Sequence, residues 1–136
     1  MSRRNNDSAG GRESPVTQLK LAVLISGSGT NLQALIDACA EVNYPASISL
    51  VISNTENATG LARAERANIP SVVIRHTDFG ERGAFDDALT AALKAANVDL
   101  ICLAGFMRVL GQPFVEHWRD RVINIHPALL PAFTGL

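Results

Sequence analysis

Asn124 and His126 stand two positions apart in Asn124-Ile125-His126-Pro127, and Ala128-Leu129-Leu130-Pro131 follows at once. Side chains alternate faces along a strand, so at a strand end this spacing points the amide and the imidazole the same way and turns Ile125 back into apolar packing. Acyl transfer needs such a pair. One member is a fixed hydrogen-bond donor for a developing oxyanion; the other exchanges a proton near neutral pH. A histidine in a strand, taken alone, is more often structural or merely exposed. The Asn on the same face and the Pro-rich segment after it turn the reading toward catalysis. His76, in a polar loop, is a weaker edge candidate, and His117 reads as a solvated helix position.

Ser26-Gly27-Ser28-Gly29-Thr30-Asn31 lies between an apolar strand pattern and a helical one. There, glycines let the backbone approach a ligand and the free N–H groups of the helix start favour an anion, of which phosphate is the natural example. The plain alternative is a tight turn with Thr30 or Asn31 as N-cap. A dinucleotide site fits less well: Leu32 occupies the third glycine position, and the second strand ends in Ser53-Asn54 rather than in an acid for a ribose hydroxyl. No Gly-Lys-Ser/Thr is present, which excludes Walker-type hydrolysis and leaves a monophosphate.

Ala104-Gly105-Phe106-Met107-Arg108-Val109-Leu110 leaves another strand. Ligands of open α/β sheets collect at the carboxyl ends of strands. Gly105 permits a sharp exit, and Phe106, Met107, Val109 and Leu110 are placed to wall a flat aromatic ligand, partly through backbone groups. Taken alone, those side chains read as core packing beside a surface Arg108.

The elements that must position these residues follow from periodicity. Leu19–Ile25 is almost wholly apolar, as a central parallel strand is. A helix runs from the glycine loop to about Val42, with Leu32, Leu35, Ile36, Cys39 and Val42 on one face. Ile48–Ile52 is a strand, Leu61–Ala67 a short helix ended by Asn68 and Pro70, and Ser71–Ile74 a strand. After the polar loop Arg75–Gly83, Phe85, Leu89, Ala92, Leu93 and Ala96 mark another amphipathic helix. Leu100–Ala104 is the fourth strand and Val122 to about His126 the fifth, with a helical turn from Pro113 carrying Phe114 and Trp118. Strands alternating with helices imply right-handed crossovers and an α/β fold: an open, mainly parallel sheet with helices on both faces.

Composition agrees. A chain of 136 residues, 47% apolar, supports one hydrophobic core. A net charge of −1 without a basic run argues against nucleic-acid or membrane partners. Cys39 and Cys102 read as buried free thiols, which suits the reducing cytoplasm. Residues 1–17 read as a disordered polar tail without the apolar stretch of a secretory signal, and 18–136 as one domain.

Taken together, Ser-Gly-Ser-Gly-Thr-Asn, Ala-Gly-Phe-Met-Arg-Val-Leu and Asn-Ile-His-Pro-Ala-Leu-Leu-Pro resemble glycinamide ribonucleotide formyltransferase, in that family's order and approximate spacing, from Leu19 to Leu136. The last motif is shared with formyltransferases that act on charged initiator tRNA; the glycine loop points to a phosphoribosyl substrate. The resemblance implies a Rossmann-like formyltransferase fold and formyl transfer from 10-formyltetrahydrofolate to the amine of glycinamide ribonucleotide, in purine biosynthesis and without a metal. It implies that Gly29, Thr30 and Asn31 hold the phosphate. It also implies that Met107, Arg108, Val109 and Leu110 line the pterin pocket with Asn124, and that Arg82 contacts the folate. Asn124 and protonated His126 are then the catalytic pair. A homodimer is compatible with it.

Family members continue past the position of Leu136, and an aspartate partnering the histidine lies in that portion. The chain is therefore expected to be C-terminally incomplete and inactive alone. Two other readings stand beside the transferase. One is a short paralogue that binds phosphoribosyl or folate ligands without turnover. The other is formyltetrahydrofolate hydrolase, which the glycine loop argues against.

Overall fold

The structure, a computed structural model, describes residues 18–125. Five strands form one parallel sheet in the order β3-β2-β1-β4-β5. They are β1 (Leu19–Ile25), β2 (Ala46–Ser53), β3 (Ser71–Val73), β4 (Leu100–Leu103) and β5 (Val122–Asn124). The helices are α1 (Thr30–Cys39), α2 (Gly60–Arg66), α3 (Arg82–Ala95) and α4 (Gln112–His117). The open, parallel, doubly covered α/β fold expected from the sequence is the observed one.

β1 is central because it is apolar on both faces, and residues 21–25 are all buried. It pairs with β2 from Leu19↔Ala46 to Ile25↔Ser53 on one side and with β4 from Leu21↔Leu100 to Leu24↔Leu103 on the other. Alternation then sends its side chains to two cores. Leu21, Val23 and Ile25 join Leu32 and Leu35 of α1 and Ala64 of α2. Ala22 and Leu24 join Phe85, Leu89 and Leu93 of α3 and Phe114 and Trp118 at α4. Fully burying a Leu- or Phe-sized side chain stabilises by roughly 1.5–3 kcal/mol, so each helix is held chiefly by this apolar stripe.

Several expected boundaries shift for local reasons. α1 ends at Cys39, not near Val42. Asn43 adopts a left-handed conformation (φ 65°), which reverses the chain and leaves Val42 87% exposed while Tyr44 turns inward. Cys39, at that helix end, is consequently only half-buried, whereas Cys102 is buried as expected; both thiols are free. β2 extends beyond Ile48–Ile52 to Ala46–Ser53, the whole stretch that pairs with β1. The polar loop expected over 75–83 contains a 3-10 turn, His76–Asp78, and α3 starts within it at Arg82. Arg75 reaches Asp78 and Glu56 there, and hydrogen bonding to Asp78 together with both charges raises its pKa further.

Candidate active site

The glycine loop leaves β1 and enters α1 through Gly29, whose φ of 78° makes it a left-handed N-cap without any side-chain cap bond. Neither Thr30 nor Asn31 takes the capping role that the plain turn reading assigned. Among the described residues no side chain caps the first N–H groups of this ten-residue helix. The loop is braced from behind by α2. Gly60 N–H donates to the Gly27 carbonyl (3.1 Å), Thr59 Oγ1 to the Ser28 carbonyl (3.3 Å) and Arg63 Nε to that same carbonyl (2.8 Å). Arg63 also donates from Nη1 to Gln33 Oε1 (3.3 Å).

Residues 26–31 and Ala104, Gly105 and Met107 line one cleft of about 350 Å³. The loop motif and the β4-exit motif, some eighty positions apart in sequence, therefore share a wall at the carboxyl edge of the sheet. Gly105 turns with φ 74°. The side chains of 106–110 divide: Phe106 and Leu110 pack on the α3-side core, while Met107 and Val109 are 82% and 70% exposed. Core packing describes the first pair only. Arg108 is not a plain surface cation either, since its guanidinium lies 5.5 Å from the Phe85 ring centroid and its Nε is buried without a partner among the described residues. The loop's far end is fixed by Asp86 Oδ2, which accepts from Gly111 N–H at 2.7 Å.

Asn124 closes β5 opposite Leu103, exposed, with Ile125 buried behind it. The expected alternation holds as far as the described residues reach. Asn31 of α1 donates toward the Ile125 carbonyl at 3.5 Å, which brings the helix start to the end of the strand carrying Asn124. His126 lies outside the described residues, as does the Pro-rich segment after it. Arg82 is the first residue of α3, and its side chain is likewise outside the described part. His117 is exposed against Trp118, as expected of a solvated helix position. His76 is more engaged than a loop histidine, with Nδ1 3.3 Å from Asn54 Nδ2 and its ring edge-on to Phe85.

Sequence reasoning missed Thr59, Gly60, Arg63 and Asp86. Gly60 at a helix start was the legible signal, since a glycine there means a close approach; nothing in the local pattern marked Arg63 or Asp86. Among the described residues no group of three or more His, Cys, Asp or Glu is placed to hold a metal ion, and no helix is long and apolar enough to cross a membrane.

An open parallel sheet with a glycine loop at its carboxyl edge, facing a second strand-exit loop across one cleft, defines a Rossmann-like α/β protein with its candidate site at that edge. The chain belongs to the formyl transferase family, which it matches over residues 19–136. It is 59% identical over 119 residues to the trifunctional purine biosynthetic protein adenosine-3 of Drosophila melanogaster, covering 86% of this chain and 9% of that protein. To phosphoribosylglycinamide formyltransferase of Haemophilus influenzae it is 48% identical over 117 residues, 86% of this chain and 55% of that one. The crystal structure of phosphoribosylglycinamide formyltransferase from Brucella melitensis superposes with a TM-score of 0.79 at 43% identity, covering 88% of this chain and 62% of that one. The chain thus spans about half the length of the single-function bacterial relatives it matches.

Proposed function

We propose that this chain carries the substrate-binding half of a phosphoribosylglycinamide formyltransferase, an enzyme moving a formyl group from 10-formyltetrahydrofolate to the amine of glycinamide ribonucleotide. The observation that carries the reading is the shared cleft between the glycine loop and the β4 exit. Gly29, Thr30 and Asn31 hold the phosphate at the start of α1, where unpaired N–H groups and the helix dipole favour a dianion. Arg82 and Met107 to Leu110 take the folate. The half-exposed character of that loop suits a pterin, which needs apolar walls together with backbone hydrogen-bonding groups.

The substrate amine attacks the formyl carbonyl, and the carbonyl oxygen becomes an oxyanion. Asn124 donates a hydrogen bond to it. His126 in its protonated form donates a second and transfers protons as the folate nitrogen leaves; an imidazole with an ordinary pKa near 6.5 suits that exchange. No step needs a metal. The setting is the reducing cytoplasm, in keeping with two free thiols.

The test is a formyl-transfer assay with both substrates, run beside calorimetric titration of glycinamide ribonucleotide. Formylated ribonucleotide as product supports the transferase. In a protein of the bacterial relatives' full length, binding heat without product would replace it with the binding module, and free formate without acceptor formylation with the hydrolase.

A further inference from the structure

The carboxyl ends of β1, β2 and β4 are tied together by side chains beyond the sheet's own ladder. Ser26 Oγ accepts the Met107 N–H at 2.7 Å and donates to Asn54 Oδ1 at 2.7 Å. Asn54 is 2% exposed, and its Nδ2 meets His76 Nδ1 at 3.3 Å. Thr55 Oγ1 donates to the Ser26 carbonyl at 3.1 Å, so Ser26 is held from both its ends.

In this chain of bonds the Met107 N–H donates to the Ser26 oxygen, and the Ser26 hydroxyl gives its one proton to Asn54 Oδ1. Asn54 must therefore present its carbonyl oxygen to Ser26 and its amide to His76. Nδ1 of His76 then faces that amide as its acceptor. Every polar atom on the route has one consistent role, which is what holds a buried network in a single arrangement.

Side chains anchor this loop on either side of Met107, with Phe106 and Leu110 on the α3-side core and Arg108 over Phe85, but Met107 itself depends on its backbone bond. Met107 is 82% exposed, so its side chain contributes almost no packing. Between Gly105 and Leu110 the backbone is pinned by the Met107–Ser26 bond, and the Gly111–Asp86 bond follows just beyond. We propose that Ser26 and Asn54 are positioning residues that set the folate-side wall of the cleft by fixing the Met107 backbone. Asn54 acts entirely through Ser26. This rests on the proposed formyltransferase reading for what the wall binds, but not for the tie itself.

The experiment compares Ser26→Ala, Ser26→Thr and Asn54→Ala with the wild type in the full-length protein. Hydrogen exchange at the Met107 amide is followed by NMR without substrate, and both Michaelis constants are then measured. Ser26→Ala and Asn54→Ala are expected to speed exchange at Met107 at least tenfold, with the amides of α1 unchanged. They should raise the KM for 10-formyltetrahydrofolate about tenfold while the KM for glycinamide ribonucleotide stays within about twofold. Ser26→Thr keeps the hydroxyl and restores both. Ser26 lines the cleft and Asn54 does not, so an effect confined to Ser26→Ala would mean direct ligand contact and would overturn the positioning role. Unchanged Met107 exchange, or an equal rise in both KM values, would overturn it too. A wild type without formyl transfer removes the functional reading instead, and faster Met107 exchange in both alanine variants would then still uphold the tie.

Discussion

Gly29 and Gly60 approach so closely that a Cβ on Gly29 would lie 2.6 Å from the Gly60 Cα. The glycine loop and the start of α2 are thus packed backbone against backbone, and the loop's shape depends on a residue more than thirty positions downstream.

Gly29→Ala meets two penalties together, the left-handed φ of 78° and backbone that cannot move aside. Each such feature costs on the order of 1–3 kcal/mol. Gly60→Ala meets Ile25 Cδ1 at 2.6 Å, the tip of a side chain that can rotate, and Gly29 Cα at 3.1 Å. Urea unfolding should therefore show Gly29→Ala as the more destabilised of the two. Equal midpoints for wild type and Gly29→Ala would mean that the two glycines do not touch.

Asn124 offers the opposite case, a residue whose loss should be felt in turnover and not in folding. It is exposed and its side chain makes no hydrogen bond among the described residues, so Asn124→Ala should shift stability by less than about 0.5 kcal/mol. If it stabilises the oxyanion, kcat falls by roughly two to three orders of magnitude. His126→Ala should fall comparably, and the double variant should lose far less than the product of the two, since they act on one oxygen. Normal turnover in Asn124→Ala would end the mechanism, whatever the binding data say.

These residues also mark where sequence legibility stops. β1, the glycine loop and the β4 exit were readable because each carries a strong local signal: an unbroken apolar run, paired glycines, a glycine ending a strand. Val42 misled because it continues the helical period of Leu32, Leu35 and Cys39, while the helix itself is ended by a conformational choice at Asn43 that periodicity does not encode. Arg63 and Asp86 were illegible for another reason. Each acts on backbone groups far along the chain, Ser28 and Gly111, and the fold alone brings those groups within reach. Asn54 was noticed only for not being an acid; its use appears once three strand ends stand side by side.

The two thiols give a pH prediction with a definite sign. Burial pushes Cys39 up to about 11 and, with a smaller contribution from Cys39, Cys102 up to about 12, from an ordinary 9.0. Tyr44 beside them is raised as well, again mainly by burial. Above pH 9 the unfolded chain releases thiol protons that the folded chain keeps, so the unfolded state binds fewer protons and stability falls as pH rises. The contribution is fully present below pH 9 and is lost between there and about 11–12. Urea midpoints should hold from pH 7 to 8.5 and then decline, with a shallower decline in Cys102→Ala. At neutral pH both thiols should react with iodoacetamide far more slowly than free cysteine. Rapid alkylation of Cys102 in the folded protein would contradict its burial.

Arg63 separates charge from shape at the glycine loop, the proposed phosphate site. Its Nε and Nη1 donate to the Ser28 carbonyl and to Gln33, which holds the loop from behind, so its shape can be tested apart from its charge. A lysine keeps the charge and loses the planar fork, and a single ammonium on a flexible stem cannot reproduce both bonds in the same geometry. Each lost bond is worth about 1 kcal/mol, with the Ser28 carbonyl left to water. Titration with glycinamide ribonucleotide should therefore show Arg63→Lys weakened about fivefold or more, and Arg63→Gln no worse than Arg63→Lys. If lysine restores wild-type affinity while glutamine does not, the arginine acts on the phosphate by charge, and the loop owes its shape to Gly29 and Gly60 alone.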